Sequence, residues 1–327
     1  MPHHAADIEP ADIAPEVMEQ LLRDHTTQSN IFWATGDYAH LGAGYQYSDQ
    51  ITAGSITGMN SDLIKPRAVK SREQQQQCSR DMAEVFTPSW ICNKQNNLID
   101  NAWFGRENVF NTEVDSPDGS HSWIPTEGKV TFPEGRTWRE YVCENRMEIT
   151  CGEAPYLVSR YDTVTGDPIP TERRIGLLDR KLRIVSENTE TTGEWLKAAQ
   201  SAYMSTYGYE WQGDNIVLAR KNLLHTFTDH YRAKFGTEPL PKSVLYIAYI
   251  ISWNVWQMDG LKGVIPDSCK EERIVMPDLF TGEKEKANPC RGCATGNIRA
   301  HNGRYALVKD WGAKKGREKI RFIDLIK

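Results

Sequence analysis

Between Met147 and Asp259 the sequence alternates short β-prone runs with long helix-periodic ones, and this alternation constrains the fold more than any other feature. "MEIT" reads as a short strand. "TERRIGLLDRKLRIVSENT" and "TGEWLKAAQSAYMSTYG" read as helices, and "YGYEWQGDN" offers a strand that ends on Glu210. "NIVLARKNLLHTFTDHYRAKF" carries a strong helical period, and "VLYIAYIISWNVWQMDGL" reads as a buried helix running into a strand that ends on Asp259. Strands separated by helices predict a doubly wound parallel sheet, because parallel neighbours need a long crossover.

The flanks are less regular. Ile13, Val17 and Leu21 recur at helical spacing behind an Asp at an N-cap-like position, which predicts a leading helix. Residues 33–64 are rich in Gly, Ser, Thr and Asp and read as short strands and turns. "KSREQQQQCSRDMAEVF" reads as a helix or a polar connector. In "TPSWICNKQNNLIDNAWF", Pro88 suits a first helical turn and Ile91, Leu98 and Ile99 supply an apolar face. Residues 105–137 read as loop. Residues 266–300 form a polar, Cys-bearing insertion, after which "RYALVKDWG" and "KIRFIDLIK" predict a hairpin around a basic turn. The expected division is an N-terminal extension (1–80), an α/β core (81–265) and an insertion plus C-terminal β-hairpin (266–327). No internal repeat is visible.

Charge and cysteine content narrow the function. The net charge is −5, which argues against a chain dedicated to coating nucleic acid. The basic stretch of Lys309, Lys314, Lys315, Arg317, Lys319 and Arg321 reads as a solvated face or as a binding patch. The longest apolar run, "SVLYIAYIISW", falls short of the roughly 18 residues of a membrane span. No signal-peptide pattern opens the chain, so the expected location is cytoplasmic. Seven cysteines, an odd number with Cys78, Cys92, Cys143 and Cys151 scattered, suit reduced thiols better than a disulfide framework.

In open parallel sheets, ligands sit beyond the carboxyl ends of the strands. Three such ends occur here: the loop "TCGEAPYL" with Gly152, the acid Glu210, and the acid Asp259. An acid after the second strand can accept from ribose hydroxyls, and one after the third from an exocyclic amine. Each feature also has a plain structural explanation: a turn glycine, a surface acid, an N-cap. "CGEAPY" is not GxGxxG, which tilts the reading from a nicotinamide dinucleotide towards S-adenosylmethionine.

In their order, these stretches give the chain a resemblance to the adenine-specific DNA methyltransferases of restriction-modification systems, often labelled restriction endonuclease subunit M. "AEVFTPSWICNKQNNLID" resembles the family's Phe-Thr-Pro motif. "MEITCGEAPYL" resembles its first-strand cofactor loop, "YGYEWQGDNIVLARKNLL" its second-strand acid and helix, and "NVWQMDGL" its third strand. Together they span roughly residues 81–265. The resemblance implies a Rossmann-like S-adenosylmethionine-dependent methyltransferase fold with a partial sheet. It also implies roles. Phe86, Thr87 and Pro88 would contact the methionine moiety, and Glu148, Cys151, Gly152 and Ala154 would form the cofactor loop. Glu210 would hold the ribose hydroxyls, and Asp259 would meet the adenine amine.

Departures from the family pattern are specific. Ile149 stands where the family has Pro, and Ala154 where it has a second Gly. If position 154 needs a positive φ, Ala there costs about 1 kcal/mol or more. No Asn/Asp-Pro-Pro-Tyr/Phe tetrapeptide occurs, although the family uses that loop to hold the flipped base; "NPCRG" lacks the second Pro and the aromatic. No catalytic residue is therefore assigned. A parallel sheet of three strands would also leave an apolar edge open. The expected function is a DNA adenine N6-methyltransferase subunit. A second polypeptide would supply the Asn-Pro-Pro-Tyr loop and the target-recognition domain, with double-stranded DNA in the complex and no membrane. The alternatives are a non-catalytic cofactor-binding accessory protein of a DNA-modification system, and a zinc-stabilised interaction module that binds no cofactor.

One further constellation stands apart. Cys290 and Cys293 in "NPCRGC" can join Cys269 and His301 in a C-x20-C-x2-C-x7-H pattern, a plausible structural zinc site. Reduced thiols in a loop are the other reading. No Ser/His/Asp, Cys/His or PD-(D/E)xK arrangement is evident.

Overall fold

The computed structural model describes residues 13–69, 87–278 and 282–326. Phe86, Cys78 and the Gln-rich run lie outside the described residues. Pro15 opens helix α1 (Pro15–Leu22), where its missing N–H has no intrahelical partner to lose. The N-cap is Ala14 rather than the expected acid. Val17, Met18, Leu21 and Leu22 bury one face of the helix. Residues 33–64 do not form the expected strands. They run as turns, single helical turns and α2 (Ala53–Ile56), with isolated bridges such as Phe32 to Gln50. Their short polar side chains bind nearby backbone instead: Asp49 accepts from the Gly44 and Gln46 N–H groups, both at 2.9 Å.

Helix α3 (Ser89–Phe104) buries a different face from the one its apolar residues mark. Leu98 and Ile99 are exposed, while Asn93, Asn96 and Asp100 are buried. The reason is a buried arginine some 80 residues away: Arg180 donates to Asp100 Oδ2 at 2.6 Å, Asn93 Oδ1 at 2.9 Å and Asn97 Oδ1 at 2.8 Å. A buried guanidinium needs that many acceptors, so its needs override the apolar stripe. Pro88 is the residue before the helix, not in its first turn. The stretch expected as loop contains a hairpin, β1 (Asn111–Asp115) against β2 (His121–Pro125), closed by the turn Ser116–Ser120.

The alternating segment then builds the sheet. After α4 (Trp138–Cys143) comes β3 (Arg146–Ile149), and α5 (Leu177–Asn188) and α6 (Thr192–Met204) lead to β4 (Thr206–Glu210). A Thr191–Glu194 capping box starts α6. Helices α7 (Gly213–Phe235) and α8 (Pro241–Asn254) then lead to β5 (Val255–Gln257). The three strands are parallel in the order β3–β4–β5, with Ile149 opposite Tyr209 and Tyr209 opposite Trp256. The chain is thus a mixed α/β fold. One apolar core runs from Val17 to Val255 and includes Trp33, Trp195 and Phe227, so residues 13–69 share it. At the amino ends of β3 and β4 the buried Lys181 ammonium donates to Glu144 O (2.6 Å), Ser205 Oγ (2.7 Å) and Ser205 O (3.0 Å).

Two hairpins follow. The segment expected to be a plain insertion contains β6 (Glu272–Asp278) against β7 (Gly282–Asn288), then the short α9 (Arg291–Thr295). The expected C-terminal hairpin pairs β8 (Leu307–Lys309) with β9 (Lys319–Arg321). It closes a second, smaller core: Ala306, Val308 and Phe322 pack on Tyr209, Trp256 and Met258. Lys309 belongs to this packing, 2.6 Å from the Tyr249 hydroxyl and 4.6 Å from the centre of the Trp311 ring, whereas Lys314, Lys315 and Arg317 are exposed. Met147 and Ile149 share the face of Tyr209 and Trp256 yet stay 46% and 62% exposed, and β3 pairs only with β4 among the described residues. No described helix is long and apolar enough to cross a membrane.

Candidate functional site

The loop leaving β3 is strained. Thr150, Gly152 and Ala154 have φ of +48°, +51° and +64°, alternating along five residues. Gly accepts this region freely, Ala at a cost, and a β-branched Thr rarely. Such a loop persists only where its surroundings over-determine it. Here two carboxylates clasp it. Glu148, inside β3, accepts from the N–H groups of Leu157 (3.2 Å) and Tyr156 (3.4 Å). Glu210, at the end of β4, accepts from Gly152 N–H at 2.9 Å and from Trp211 N–H at 2.7 Å. Cys151 N–H bonds to Tyr209 O at 2.9 Å, and Ala154 is fully buried. Burial pushes the Glu148 carboxyl well above its ordinary value against the pull of its two amides, and Glu210 pushes it further. Burial and the same two acids raise the Cys151 thiol, so it is not an activated nucleophile.

The other two predicted elements are the Thr87–Pro88 segment and Asp259. Thr87 accepts through its carbonyl from Thr163 Oγ1 at 2.7 Å, and the Tyr156 hydroxyl links Thr87 and Cys92 to the Glu148 neighbourhood. Pro88 leads into α3 at the same place. Asp259 lies two residues beyond β5 and makes its own turn. Its Oδ1 accepts from Leu261 and Lys262 N–H groups at 3.0 and 3.2 Å, and its Oδ2 pairs with the Lys262 ammonium at 3.0 Å. The hydrogen bond to Asp259 raises the Lys262 ammonium above its ordinary value, with smaller contributions from Cys293 and Cys269 when they are thiolates.

Sequence reasoning missed the aromatic wall at the ends of β4 and β5. Trp211 follows Glu210 and donates from Nε1 to the Tyr47 hydroxyl at 3.2 Å, and that hydroxyl donates to Asp267 Oδ2 at 2.5 Å. Burial and Asp267 push Tyr47 up to about 12. The aromatic beside the strand-end acid was the available signal for Trp211; Tyr47 comes from a remote segment and had none. A cavity of about 450 Å³ lies elsewhere, against α1 and α7, lined by Met18, Ile56, Arg160, Lys221 and His225 and by none of the predicted site residues.

The four residues of the Cys/His pattern do meet. Their candidate ligand atoms all lie within 4.8 Å of one another, a cluster able to hold a metal ion and consistent with a structural zinc. The Sγ atoms of Cys269, Cys290 and Cys293 stand 3.5, 3.6 and 3.7 Å from Nδ1 of His301. Burial alone would raise the Cys290 thiol, but the Asn302 and Cys293 amides and the His301 ring outweigh it and bring it to about 6. Those donors favour the Cys290 thiolate, the form that binds metal.

Against known protein families, curated proteins and solved structures, the chain has no match.

Proposed function

We propose that this chain binds S-adenosylmethionine at the carboxyl ends of β3, β4 and β5 and is one subunit of an adenine-specific DNA methyltransferase with a Rossmann-like fold. The observation that carries this reading is the clasped loop. Its Gly152 and Ala154 hold left-handed backbone between the carboxyl groups of Glu148, inside β3, and Glu210, at the end of β4, at the place where open parallel sheets bind ligands. An acid at or near each of the three strand ends supports it too.

Gly152 would let the cofactor approach the backbone. A Cβ added there meets nothing within 4 Å, so the space beside it is open. A ribose hydroxyl on Glu210 would share that carboxylate with the Gly152 N–H, coupling loop geometry to occupancy. Trp211 would offer a ring face next to the purine, and Asp259 would receive the adenine amine beside Lys262. When bound, S-adenosylmethionine supplies an electrophilic methyl that the target amine attacks directly, with S-adenosylhomocysteine as leaving group. No protein nucleophile is needed, and the chain's task is positioning.

This sequence holds no Asn-Pro-Pro-Tyr/Phe tetrapeptide, so the base-holding loop is assigned to a partner polypeptide, along with DNA target recognition. The test is methyl transfer to double-stranded DNA by the chain alone and with the product of a neighbouring gene. Transfer only by the pair is expected. Transfer by the chain alone refutes the split, and cofactor binding with no transfer in any pairing favours the accessory reading.

A further inference from the structure

We propose that Cys269, Cys290, Cys293 and His301, the last through Nδ1, bind one zinc ion tetrahedrally, and that this ion takes the place of an apolar core for residues 266–305. The distances carry the first half. With Zn–S of about 2.3 Å and Zn–N of about 2.0–2.1 Å, a tetrahedral site sets each sulfur about 3.6 Å from the ring nitrogen. The three observed separations are 3.5, 3.6 and 3.7 Å, matching that spacing, and all four ligand atoms lie within 4.8 Å of one another. Three thiols give up their protons on binding, which leaves the occupied site with a net charge of −1. The Lys262 ammonium, already paired with Asp259, lies on the side of Cys269 and Cys293 that can balance it.

The packing of the segment carries the second half. From Asp267 to Tyr305, leaving 274–286 aside, the buried residues are Cys290, Gly292 and His301. Outside 274–286 no Leu, Ile, Val or Phe of this stretch is buried, so among the residues whose burial is described nothing apolar holds it together. Small modules of that kind require a metal or a disulfide. The four candidate ligands come from just before β6, the start of α9 and the turn before β8, so one ion would close the base of the β6–β7 hairpin. Backbone bonds from Ile265 N–H to Arg304 O and from Asp259 N–H to Val264 O then tie that base to the turn after β5. Two glycines leave room for the cluster. A Cβ on Gly292 would lie 2.5 Å from the His301 ring, and one on Gly303 would lie 3.0 Å from Cys269 Sγ.

The full chain, purified on a tag without histidines and dialysed, should contain one zinc per molecule by elemental analysis. Cobalt exchange should give the intense ligand-field bands of a tetrahedral ion and a sulfur-to-metal charge-transfer band. Cys290→Ser and His301→Ala should lose the metal at least tenfold, whereas Cys143→Ser, an exposed thiol outside the cluster, should keep it. Because a misfolded variant also loses metal, the wild type is tested as well, by chelation and limited proteolysis. Cleavage within 266–305 should rise at least tenfold on zinc removal and fall back on zinc addition, with cleavage in the α/β body unchanged. A chain that takes up no zinc on reconstitution, a Cys290→Ser variant with full stoichiometry, or proteolysis indifferent to zinc each overturns the proposal.

Discussion

The left-handed backbone of the loop after β3 can be tested by one chemical change made at two places. Ala154 sits at φ +64° and is fully buried; Ala199, also fully buried, lies inside α6 with ordinary helical backbone. Replacing either by Gly removes one buried methyl, worth about 0.8 kcal/mol. At Ala199 the change also carries the helix penalty of Gly, about 0.8–1.0 kcal/mol, for a total loss near 2 kcal/mol. At Ala154 the extra freedom of Gly in the unfolded chain costs about 0.4–1 kcal/mol. Relief of the left-handed conformation returns about 1–2 kcal/mol. The terms nearly cancel, so Ala154→Gly should change stability by less than about 1 kcal/mol and lie some 1–2 kcal/mol above Ala199→Gly. Reversible urea unfolding of both variants beside the wild type gives the comparison. Equal losses at the two sites would refute the assignment of strain to position 154, and with it the view that this loop is held in a conformation its sequence resists.

Two further predictions follow from the same neighbourhood. Burial raises the folded-state pKa of Glu148 above its unfolded value, so the native state binds the proton more tightly; stability contributed by that proton is present below the unfolded pKa, near 4.3, and is lost as pH rises to the folded value. Glu148→Gln should flatten this fall in unfolding curves taken across that range, and an unchanged pH profile would show that Glu148 is not protonated there. Ile149→Lys, on the exposed side of β3, should alter stability by no more than about 0.5 kcal/mol but weaken association with the proposed partner polypeptide in sedimentation. An unchanged association would place the contact elsewhere.

Much of the fold was legible because it is written in local period. The alternation from Met147 to Asp259 follows from apolar spacing, and the acid at the end of β4 and the acid just past β5 can be read directly from the residues. The turn glycine Gly152 was equally plain. What was not legible is non-local. Helix α3 turns its polar side inward because Arg180, remote in sequence, needs Asp100 and two asparagines, and no window around residues 89–104 contains that arginine. The β1–β2 hairpin has a turn signal in "SPDGS", but its strands are too poor in apolar residues to show a strand period. The Cys/His spacing named four ligands, but their convergence on Nδ1 and the lack of an apolar core around them come only from the fold.

The central claim is that S-adenosylmethionine sits against Gly152. A calorimetric titration of the full chain with S-adenosylmethionine, beside Gly152→Trp, addresses it directly. A Cβ at Gly152 meets nothing within 4 Å, so the larger side chain leaves the loop through open space towards the proposed ligand position, at a backbone strain of about 1 kcal/mol. The expected result is one equivalent bound by the wild type and none by the variant, with circular dichroism and zinc content alike in both. A wild type that shows no binding, or a variant that binds as well as the wild type, would contradict the claim and leave the loop as a structural turn.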